Sequence, residues 1–389
     1  MKPLLDKYAA KLVAAGLAPG GGPLLAGLDA DLEWSREAPE RAVLVELFGL
    51  LNINSLVFCP LAEPHASIVE AVARDAQEAV TPEDCETRTF LHDLPVVREF
   101  APGPLAAALR RRKGCIVPGR GLLAHGAVSP EQGFVTVSSM AFACFVKFFS
   151  DHLAALRRGR ADAAARERFA RIAALLPPAR ADLPDLARGP FASAGSAAQA
   201  MVQAGRATVD YGLVDSYFGN ISYLVDDTLH ISQTGSSLDE LAGLIDPCPL
   251  DGSTSHGLTA SSELTAHREA LLRTGARAVL HGHPRFSVIL SMDCVEEDCP
   301  TRGACHARCP RERCVADVPV VPGEVGTGPT GLCNTMPAAM AGRRGVLVHG
   351  HGLFTMGRDD FREAFAALLA IENLCRSEYF RRVAELSAP

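Results

Sequence analysis

The chain has 389 residues, more than one hydrophobic core usually organises, so we expect two globular domains. Hydrophobic residues make up 48% of the sequence and charged residues 21%, a balance that is typical of a folded protein and excludes a disordered one. The formal net charge of -7, without clusters of Lys and Arg, argues against a nucleic-acid partner.

The first residues of the chain do not resemble a signal peptide. The segment MKPLLDKYAAKLVAAG is amphipathic and lacks both an unbroken apolar core and a small-residue cleavage site. The apolar stretch AVLVELFGLLNINSLVFCPLA contains Glu46, Asn52 and Asn54, which would be costly in hydrocarbon, so we predict a buried helix followed by a strand. We therefore expect a cytoplasmic protein with no membrane partner, in which clustered cysteines bind metal rather than form disulfides.

Two segments of the chain resemble each other. The sequence RKGCIVPGRGLLAHG, residues 112–126, aligns without gaps with RRGVLVHGHGLFTMG, residues 343–357, and the related segments HDLPVV and ADVPVV lie just upstream. A long helical pattern follows each copy, and we interpret this order as an ancient duplication. In this alignment Arg120 corresponds to His351, and the segment VFCPLAEP corresponds to LHGHP. The first copy therefore lacks the histidines of the second. Chance similarity between short Gly-rich segments is the alternative.

We predict tandem pseudo-duplicated domains of the α/β class. The predicted organisation is a degenerate domain without metal ligands at 1–153, a helical and Pro-rich linker at 154–195, and a metal-binding domain at 196–389 with a Cys-rich insertion at 294–314. In the second half we predict helices over 196–211, 262–274, 285–292 and 360–386, and strands over 221–225, 228–231, 278–281, 345–348 and 353–356. Because helices and strands interleave, the pattern indicates a layered α/β or α+β architecture.

Three histidines from two stretches of chain could face one metal ion. In AVLHGHPRF, His281 and His283 are two residues apart where the chain leaves an apolar strand, and alternate side chains of an extended segment point the same way. In VLVHGHGLF, the glycines on both sides of His351 allow the backbone to pass close to a site. We favour His351 as the third ligand and assign His349 a structural or supporting role.

A carboxylate could complete this set of ligands. Glu263 opens a predicted helix behind Ser261 and Ser262, whose hydroxyls can cap the first turn. Three imidazoles and one carboxylate suit zinc, with manganese, iron or cobalt as alternatives. Loops rich in Gly, Ser and Thr, and the helix N-terminus, offer N–H groups and hydroxyls to a phosphate. The predicted phosphate-binding residues are Gly219, Asn220, Thr234, Gly235, Ser261 and Ser262.

The sequence contains no lysine after Lys147. An aldolase that works through an imine needs a lysine amine, so the second half cannot catalyse aldol chemistry through a Schiff base of its own. If it catalyses such a reaction, a metal ion must serve as the Lewis acid while a carboxylate moves the proton.

The order of these motifs resembles the class II aldolase/adducin family, which includes L-fuculose-phosphate aldolase and L-ribulose-phosphate 4-epimerase. The matching motifs are GNIS at 219–222, TG at 234–235, SSE at 261–263, HGHP at 281–284 and GHG at 350–352. The resemblance implies a three-layer α/β/α sandwich with a mixed central sheet. It also implies a metal bound by His281, His283 and His351, with Glu263 as ligand and proton-transferring base, the predicted phosphate pocket, and a homo-oligomer.

Two features depart from that family. The insertion DCVEEDCPTRGACHARCPRERC holds five cysteines that predict a second metal, such as zinc, or an iron–sulfur cluster: Cys294, Cys299, Cys305, Cys309 and Cys314. Reduced or disulfide-linked surface cysteines are the alternative. In the fuculose-phosphate aldolases this region supplies a proton-donating tyrosine, and the sequence has none between Tyr223 and Tyr379. The proton donor is therefore not assigned, and Tyr379 is only a secondary candidate.

Taken together, the motifs predict a class II, metal-dependent aldehyde-lyase. Its substrate would be a small phosphorylated sugar or hydroxy-carbonyl compound, in which a carbon–carbon bond is cleaved or formed. A sugar-phosphate epimerase or dehydratase on the same scaffold is one alternative, because the family tyrosine is missing. A non-catalytic, adducin-like or metal-sensing module is the other.

Overall fold

The computed structural model of the protein divides into two compact units, Met1–Pro177 and Pro178–Pro389. The structure describes residues 1–215, 217–296, 298–324 and 326–388. The division lies inside the segment 154–195 that we predicted as a linker. The helical part of that segment belongs to the first unit, and its Pro-rich part begins the second.

The first unit is a sheet covered by helices. Its helices are α1 Lys2–Ala14, α2 Arg41–Leu50, α3 His65–Asp75, α4 Cys85–Leu91, α5 Pro102–Arg111, α6 Pro130–Arg157 and α7 Ala163–Ala173. Its strands are β1 Leu24–Leu28, β2 Leu32–Trp34, β3 Ser55–Cys59, β4 Ala79–Val80, β5 Leu94–Pro95, β6 Gly114–Val117 and β7 Gly121–Gly126. The main sheet has the order β2-β1-β3-β7-β6 and is antiparallel throughout.

Helices cover both faces of this sheet. Successive residues of a strand point to opposite sides, and all residues of β3 are buried, so both faces need a covering layer. Leu56 and Phe58 of β3 pack into a core with α2 and α5. Val57 faces α6, whose Gly133 lies so close that an added Cβ would be 2.7 Å from the Val57 side chain. The first unit therefore has two apolar interfaces, one on each side of its sheet.

The apolar stretch around residues 42–62 is a helix and a strand, as predicted, namely α2 and β3. α2 buries Leu44 and Leu47 but leaves Val45 and Leu50 each 43% exposed, so the helix is amphipathic and not fully buried. Among the described helices, α6 alone is long and apolar enough to cross a membrane by length and composition. Its most apolar window is 78% buried inside the protein, as expected of a core helix as well.

The Ala/Arg-rich segment forms α7 and packs against α6. The Asp162 carboxylate caps α7 by accepting a hydrogen bond from the Ala165 N–H at 2.7 Å. The ring of Phe169 stacks on His152 of α6, with centroids 3.7 Å apart and planes 4° apart. Burial of the imidazole, reinforced by the charge of Arg166, lowers the pKa of His152 to about 4.

We expect the first unit to lose stability between pH 6.5 and pH 4 because of His152. In this window the unfolded chain binds a proton at residue 152 that the folded unit excludes, so the free energy of unfolding falls as the pH falls, by about 2 kcal/mol. Trp34, the single tryptophan, lies in this unit, so its fluorescence during denaturant titration reports on the first unit alone. In the variant His152→Phe, the free energy of unfolding should differ much less between pH 7 and pH 4.5 than it does in the original protein. An unchanged pH dependence in that variant would assign the effect to other groups.

The second unit contains the larger sheet. Its helices are α8 Ala194–Asp210, α9 Leu264–Thr274, α10 Arg285–Met292, α11 Leu332–Met340 and α12 Phe361–Ser387. Its strands are β8 Asn220–Val225, β9 Thr228–Ser232, β10 Ile245–Pro249, β11 Ala278–Gly282, β12 Arg313–Val315, β13 Val318–Val321, β14 Gly345–Val348 and β15 Gly352–Gly357. The order is β10-β9-β8-β11-β15-β14-β13-β12, with β13 and β14 parallel and the other neighbours antiparallel. The predicted mixed central sheet is confirmed.

The second unit has three layers. On one face, Val279 and Phe354 pack with α9 and α11. On the other face lies α12, whose Ala364 carbonyl accepts a hydrogen bond from the Thr355 hydroxyl at 2.8 Å. α12 buries large apolar side chains such as Phe365 and Leu368, each worth about 1.5–3 kcal/mol of burial free energy. The predicted α/β/α sandwich is therefore confirmed for this unit.

The two sheets share a strand order. The order β2-β1-β3-β7-β6 corresponds position by position to β9-β8-β11-β15-β14. The hairpins have the same register at their turns, where Val117 is opposite Gly121 and Val348 is opposite Gly352. The segments HDLPVV and ADVPVV each pair in parallel with the first strand of the hairpin. The similarity is consistent with the predicted duplication, which stays a prediction.

Candidate metal centre

The three predicted histidines lie together at one end of the central sheet of the second unit. His281 is in β11, His283 follows that strand, and His351 lies in the turn between β14 and β15. All three are buried, and their ligand nitrogens lie within 4.8 Å of one another. β11 pairs with β8 on one side and β15 on the other, so the strand that carries His281 and leads into His283 is held on both edges.

The orientation of the rings leaves nitrogen lone pairs facing one point. His281 Nδ1 donates to the carbonyl oxygen of Leu353 at 3.1 Å, so its Nε2 carries the lone pair. His283 Nε2 lies 2.9 Å from His281 Nε2. Aromatic rings fix both imidazoles: Phe354 stacks on His281 with centroids 3.8 Å apart, and Phe218 stacks on His283 at 5.8 Å.

The Glu263 carboxylate is beside this cluster. Its Oε1 lies 2.9 Å from His351 Nε2 and its Oε2 lies 3.7 Å from His281 Nε2. Asn220 donates from Nδ2 to Oε2 at 2.6 Å. Since Glu263 is only 4% exposed, these neighbours and not water solvate the carboxylate.

The start of the Glu263 helix differs from the prediction. α9 begins at Leu264, two residues later than expected, and Glu263 immediately precedes it. The Ser261 hydroxyl accepts the Glu263 N–H at 3.3 Å, but no side chain caps α9 itself. Glu263 is thus held at the junction of loop and helix, where its side chain turns toward the sheet.

Burial controls the protonation of the cluster. It lowers the pKa of His281 to about 3 and holds the pKa of His283 well below its usual range, so both rings are neutral near pH 7. Burial alone would raise the pKa of Glu263. The interactions with His281 and His351 outweigh burial and hold that pKa well below its ordinary value. The carboxylate is therefore ionised beside the neutral rings of His281 and His283.

These residues fit a divalent cation. Neutral imidazoles and an ionised carboxylate are the protonation states that metal ligation requires. Two lone-pair nitrogens only 2.9 Å apart, together with a buried carboxylate, form a negative site that a cation would neutralise. Among the described residues the buried Nδ1 of His283 has no hydrogen-bond partner, which leaves this nitrogen free to carry the proton.

Gly352 is required by close packing at this centre, and we expect Gly352→Ala to disrupt it. A Cβ at this position would lie 2.5 Å from the Gly282 carbonyl oxygen and 2.7 Å from the His281 ring. Because strand backbone cannot move cheaply, the substitution should cost about 1–3 kcal/mol of unfolding free energy and displace His281. Denaturant titration and metal analysis would measure both effects.

Gly257→Ala is the matched control for that substitution. Its Cβ would lie 3.9 Å from the Leu264 side chain, an ordinary contact. The control should keep the stability and metal content of the original protein. If Gly352→Ala behaved like Gly257→Ala, the close approach at Gly352 would not matter for the site.

The predicted phosphate-binding residues occupy two adjoining loops and the start of β8. A bridge between Gln233 and Ala260 holds the Thr234-Gly235 turn beside the Ser261-Ser262 segment. The Thr234 and Ser261 amides already donate to main-chain carbonyls, so these two N–H groups are not free for an anion. Thr234, Gly235 and Ser262 are exposed, whereas Gly219 and Asn220 are buried, and the Asn220 amide contacts the Glu263 carboxylate.

The structure does not bring the five cysteines of the insertion together. Cys294, Cys299, Cys305 and Cys309 are half-buried, Cys314 is exposed, and all are free thiols. In the described part of the chain, only the three histidines form a group of metal-ligand donors at binding distance. A hydrogen bond with Thr301, at 3.2 Å between Sγ and Oγ1, lowers the pKa of the Cys299 thiol.

Two residues weighed from the sequence lie elsewhere. His349 Nδ1 contacts the Ser291 carbonyl at 3.0 Å and Arg313 at 3.2 Å, and it is not in the metal-ligand group. Tyr379 is fully buried in α12, with ring contacts of 5.3 Å to Phe286 and to Phe380. Burial holds the pKa of this tyrosine well above its ordinary value.

Two features of the site were not predicted from the sequence. The contact of Asn220 with the carboxylate depends on the pairing of β8 with β11, which no local pattern indicates. His267 is fully buried, and its Nδ1 lies 2.7 Å from the Ser222 hydroxyl. Its spacing of four residues from Glu263 on a helix was the signal that could have found it.

Comparisons with known proteins cover the second half of the chain. Residues 199–379 match the family model described as the class II aldolase and adducin N-terminal domain. Half of the chain is similar to L-fuculose-1-phosphate aldolase from Thermus thermophilus, with 25% identity over 50% of this chain and 99% of that chain, and a TM-score of 0.40. A sugar-phosphate aldolase from Thermotoga maritima is 18% identical over 50% of this chain and 97% of that chain, with a TM-score of 0.36. The chain matches none of the curated proteins.

Proposed function

On the premise that residues 199–379 form a domain of the class II aldolase and adducin family, we propose that the second unit is a metal-dependent lyase. It would cleave or form a carbon–carbon bond in a small phosphorylated ketose. The observation that carries this proposal is the convergence of His281, His283 and His351 beside the buried Glu263 carboxylate. A divalent ion held by these imidazoles, zinc in preference to manganese, iron or cobalt, would act as a Lewis acid on the substrate carbonyl.

Glu263 would move the proton. In the direction of bond formation, its carboxylate removes a proton from the carbon next to the carbonyl, and that carbon attacks the aldehyde. The aldehyde oxygen takes a proton from water, and the protonated Glu263 carboxyl returns its proton to the hydroxide that is left. In the direction of cleavage each transfer runs in reverse, so Glu263 first takes up from water the proton that it then delivers to the same carbon. The hydrogen bond from Asn220 and the contact with His351 orient the two carboxylate oxygens, so the base is positioned before substrate arrives.

We assign phosphate binding to the start of β8, the loop that follows β9 and the loop that precedes α9. The residues are those predicted from the sequence, Gly219, Asn220, Thr234, Gly235, Ser261 and Ser262. The exposed Thr234 and Ser262 hydroxyls can donate to phosphate oxygens. Asn220 would contribute indirectly, since its amide already donates to Glu263.

A sugar-phosphate epimerase or dehydratase is the second candidate function. The observation that favours it is the position of the tyrosines: the sequence has none between Tyr223 and Tyr379, and Tyr379 itself is packed in the core. An activity screen against phosphorylated ketoses and aldehydes, done anaerobically to protect thiols, separates the two candidates. Release of dihydroxyacetone phosphate supports the lyase, whereas a rearranged but intact carbon skeleton supports the epimerase or dehydratase. No turnover with metal-loaded protein would favour a non-catalytic, adducin-like or metal-sensing module.

We also propose that the Cys-rich insertion binds a second zinc ion or an iron–sulfur cluster. Five free thiols within 294–314, partly exposed in this structure, could gather around an ion as it binds. Elemental analysis and the visible absorption spectrum of anaerobically purified protein test this directly. We expect Cys305→Ser to reduce that metal content and Cys85→Ser, in the first unit, to leave it unchanged. Equal metal content in both variants would contradict the proposal.

A further inference from the structure

A cleft of about 450 Å³ lies in the first unit, where β3 ends and β6 turns into β7. The corresponding strands of the second unit, β11 and the β14–β15 hairpin, end at His283 and His351. The cleft therefore lies at the end of its own sheet that corresponds to the end of the other sheet where the metal centre lies. Pro60 and Leu61 follow β3 here, and Arg120 lies in the hairpin turn.

The turn that carries Arg120 is held rigidly. Gly119 and Gly121 have φ values of +71° and +132°, which side chains rarely adopt. A Cβ on Gly121 would lie 2.1 Å from the Cys59 carbonyl oxygen, so this turn lies directly against the end of β3. A rigid Gly-Arg-Gly turn thus presents Arg120 as the Gly-His-Gly turn presents His351.

The charged residues of the cleft leave an excess of positive charge. They are four arginines and two glutamates: Arg74, Arg120, Arg168, Arg171, Glu63 and Glu70. Both carboxylates already accept hydrogen bonds from the protein. Glu70 accepts the Gly119 N–H at 3.0 Å, and Glu63 accepts the Ser67 N–H at 3.2 Å and its hydroxyl at 2.9 Å. Four positive charges against two negative charges leave an excess of two.

The guanidinium groups are not matched by close carboxylates. The Arg168 side chain is only 19% exposed, and its nearest ion-pair contact is 3.9 Å from Asp75, which is 75% exposed. In the described part of the chain, neither Arg74 nor Arg171 makes an ion pair. Arg120 lies over the Phe100 ring at 4.6 Å. A positive cleft of this kind attracts an anion and offers it charge-assisted hydrogen bonds.

We propose that this cleft of the first unit binds a small metabolite that bears a phosphate group, held by Arg120, Arg168 and Arg171. With Asp75, which pairs with Arg168 at 3.9 Å, the net excess around the cleft is one positive charge. This excess attracts a phosphate anion, and a guanidinium group can donate two parallel hydrogen bonds to phosphate oxygens. The volume is in the range of small-molecule sites. No histidine or cysteine lines the cleft among the described residues, and both glutamates already accept hydrogen bonds, so the role assigned to the cleft is binding.

Arginine labelling with phenylglyoxal, located by peptide mass spectrometry, tests this proposal on the full chain. Inorganic phosphate is the probe, with sodium chloride at matched ionic strength as the reference. At a phosphate concentration ten times Kd, we expect labelling of Arg171 to fall about tenfold, while labelling of Arg88 stays constant. Because the readout is assigned to individual residues, phosphate bound in the second unit does not affect it. Equal protection of Arg171 and Arg88 would overturn the proposal.

The variant Arg120→Gln supplies an independent test. Its side chain is exposed, so the fold should persist, and the phosphate concentration that half-protects Arg171 should rise by about tenfold. Arg88→Gln, an exposed arginine in the same unit but outside the cleft, is the matched control and should leave that concentration unchanged. An identical protection curve for Arg120→Gln and the original protein would show that the cleft is not a phosphate site.

Discussion

The variant Glu263→Gln is expected to lower the rate of carbon–carbon bond cleavage by at least about two orders of magnitude, since a positioned general base contributes roughly that much or more. Glutamine keeps the size of the side chain and an oxygen that can accept the hydrogen bond from Asn220, so the loop before α9 should persist. What it lacks is the ability to take up a proton. The measurement is kcat for the substrate found in the activity screen, with metal content determined on the same samples.

Glu269→Gln is the control for this loss. Glu269 lies on the same helix with its side chain 41% exposed and paired with Arg268, away from the histidines. The control should turn over at the original rate. If Glu263→Gln kept its activity, Glu263 would not be the base, and if it lost both metal and activity, the carboxylate would act chiefly as a ligand.

The second large effect concerns two histidines that are two residues apart. We expect His351→Asn to reduce the metal held at the centre from about one equivalent per chain to a small fraction, because the ion loses one of its imidazole ligands. His349→Asn should retain the metal, since His349 contacts Ser291 and Arg313 instead. Elemental analysis after dialysis gives the stoichiometry.

Metal at the cysteines must be separated from metal at the histidines in this experiment. Cobalt substitution does so because thiolate ligation gives a charge-transfer absorption that nitrogen and oxygen ligands lack. We expect the thiolate band to be unaffected by His351→Asn and the weaker ligand-field bands of the histidine site to disappear. Loss of those bands in His349→Asn, with retention in His351→Asn, would reverse the assignment of the two residues.

Much of the second unit could be predicted from local sequence patterns, and the exceptions have physical reasons. The helix 285–292 and the strand 345–348 were predicted with their observed bounds. α11 was missed because Pro337 lies inside it, and proline normally interrupts a helix. β10 contains Pro247 and Pro249 and reads as a loop, but it is an edge strand, where proline is tolerated.

The residues of the candidate site that could be predicted each lie in a local sequence pattern. The i, i+2 spacing of His281 and His283 on a strand is a local property, and so is the glycine-flanked turn of His351. The contact between Asn220 and Glu263 joins residues 43 apart and requires the strand order β8-β11, which the sequence does not reveal. The arrangement of the five cysteines could not be predicted for the same reason. Their spacing shows that the thiols are close in sequence, but not that they lie close together in the fold.

Asn220, His281 and Phe354 lie in one row across three neighbouring strands, with His281 directly opposite the other two. Side chains alternate along a strand, so deleting one residue from β11 before His281 would turn the His281 imidazole into the wrong layer and leave the ring of Phe354 facing a different neighbour. Insertions and deletions should therefore be tolerated outside these three strands and not within them. The long segment between α10 and β12 leads into the sheet at its far edge, beyond β13 and β14, and we expect changes in its length to leave the row undisturbed.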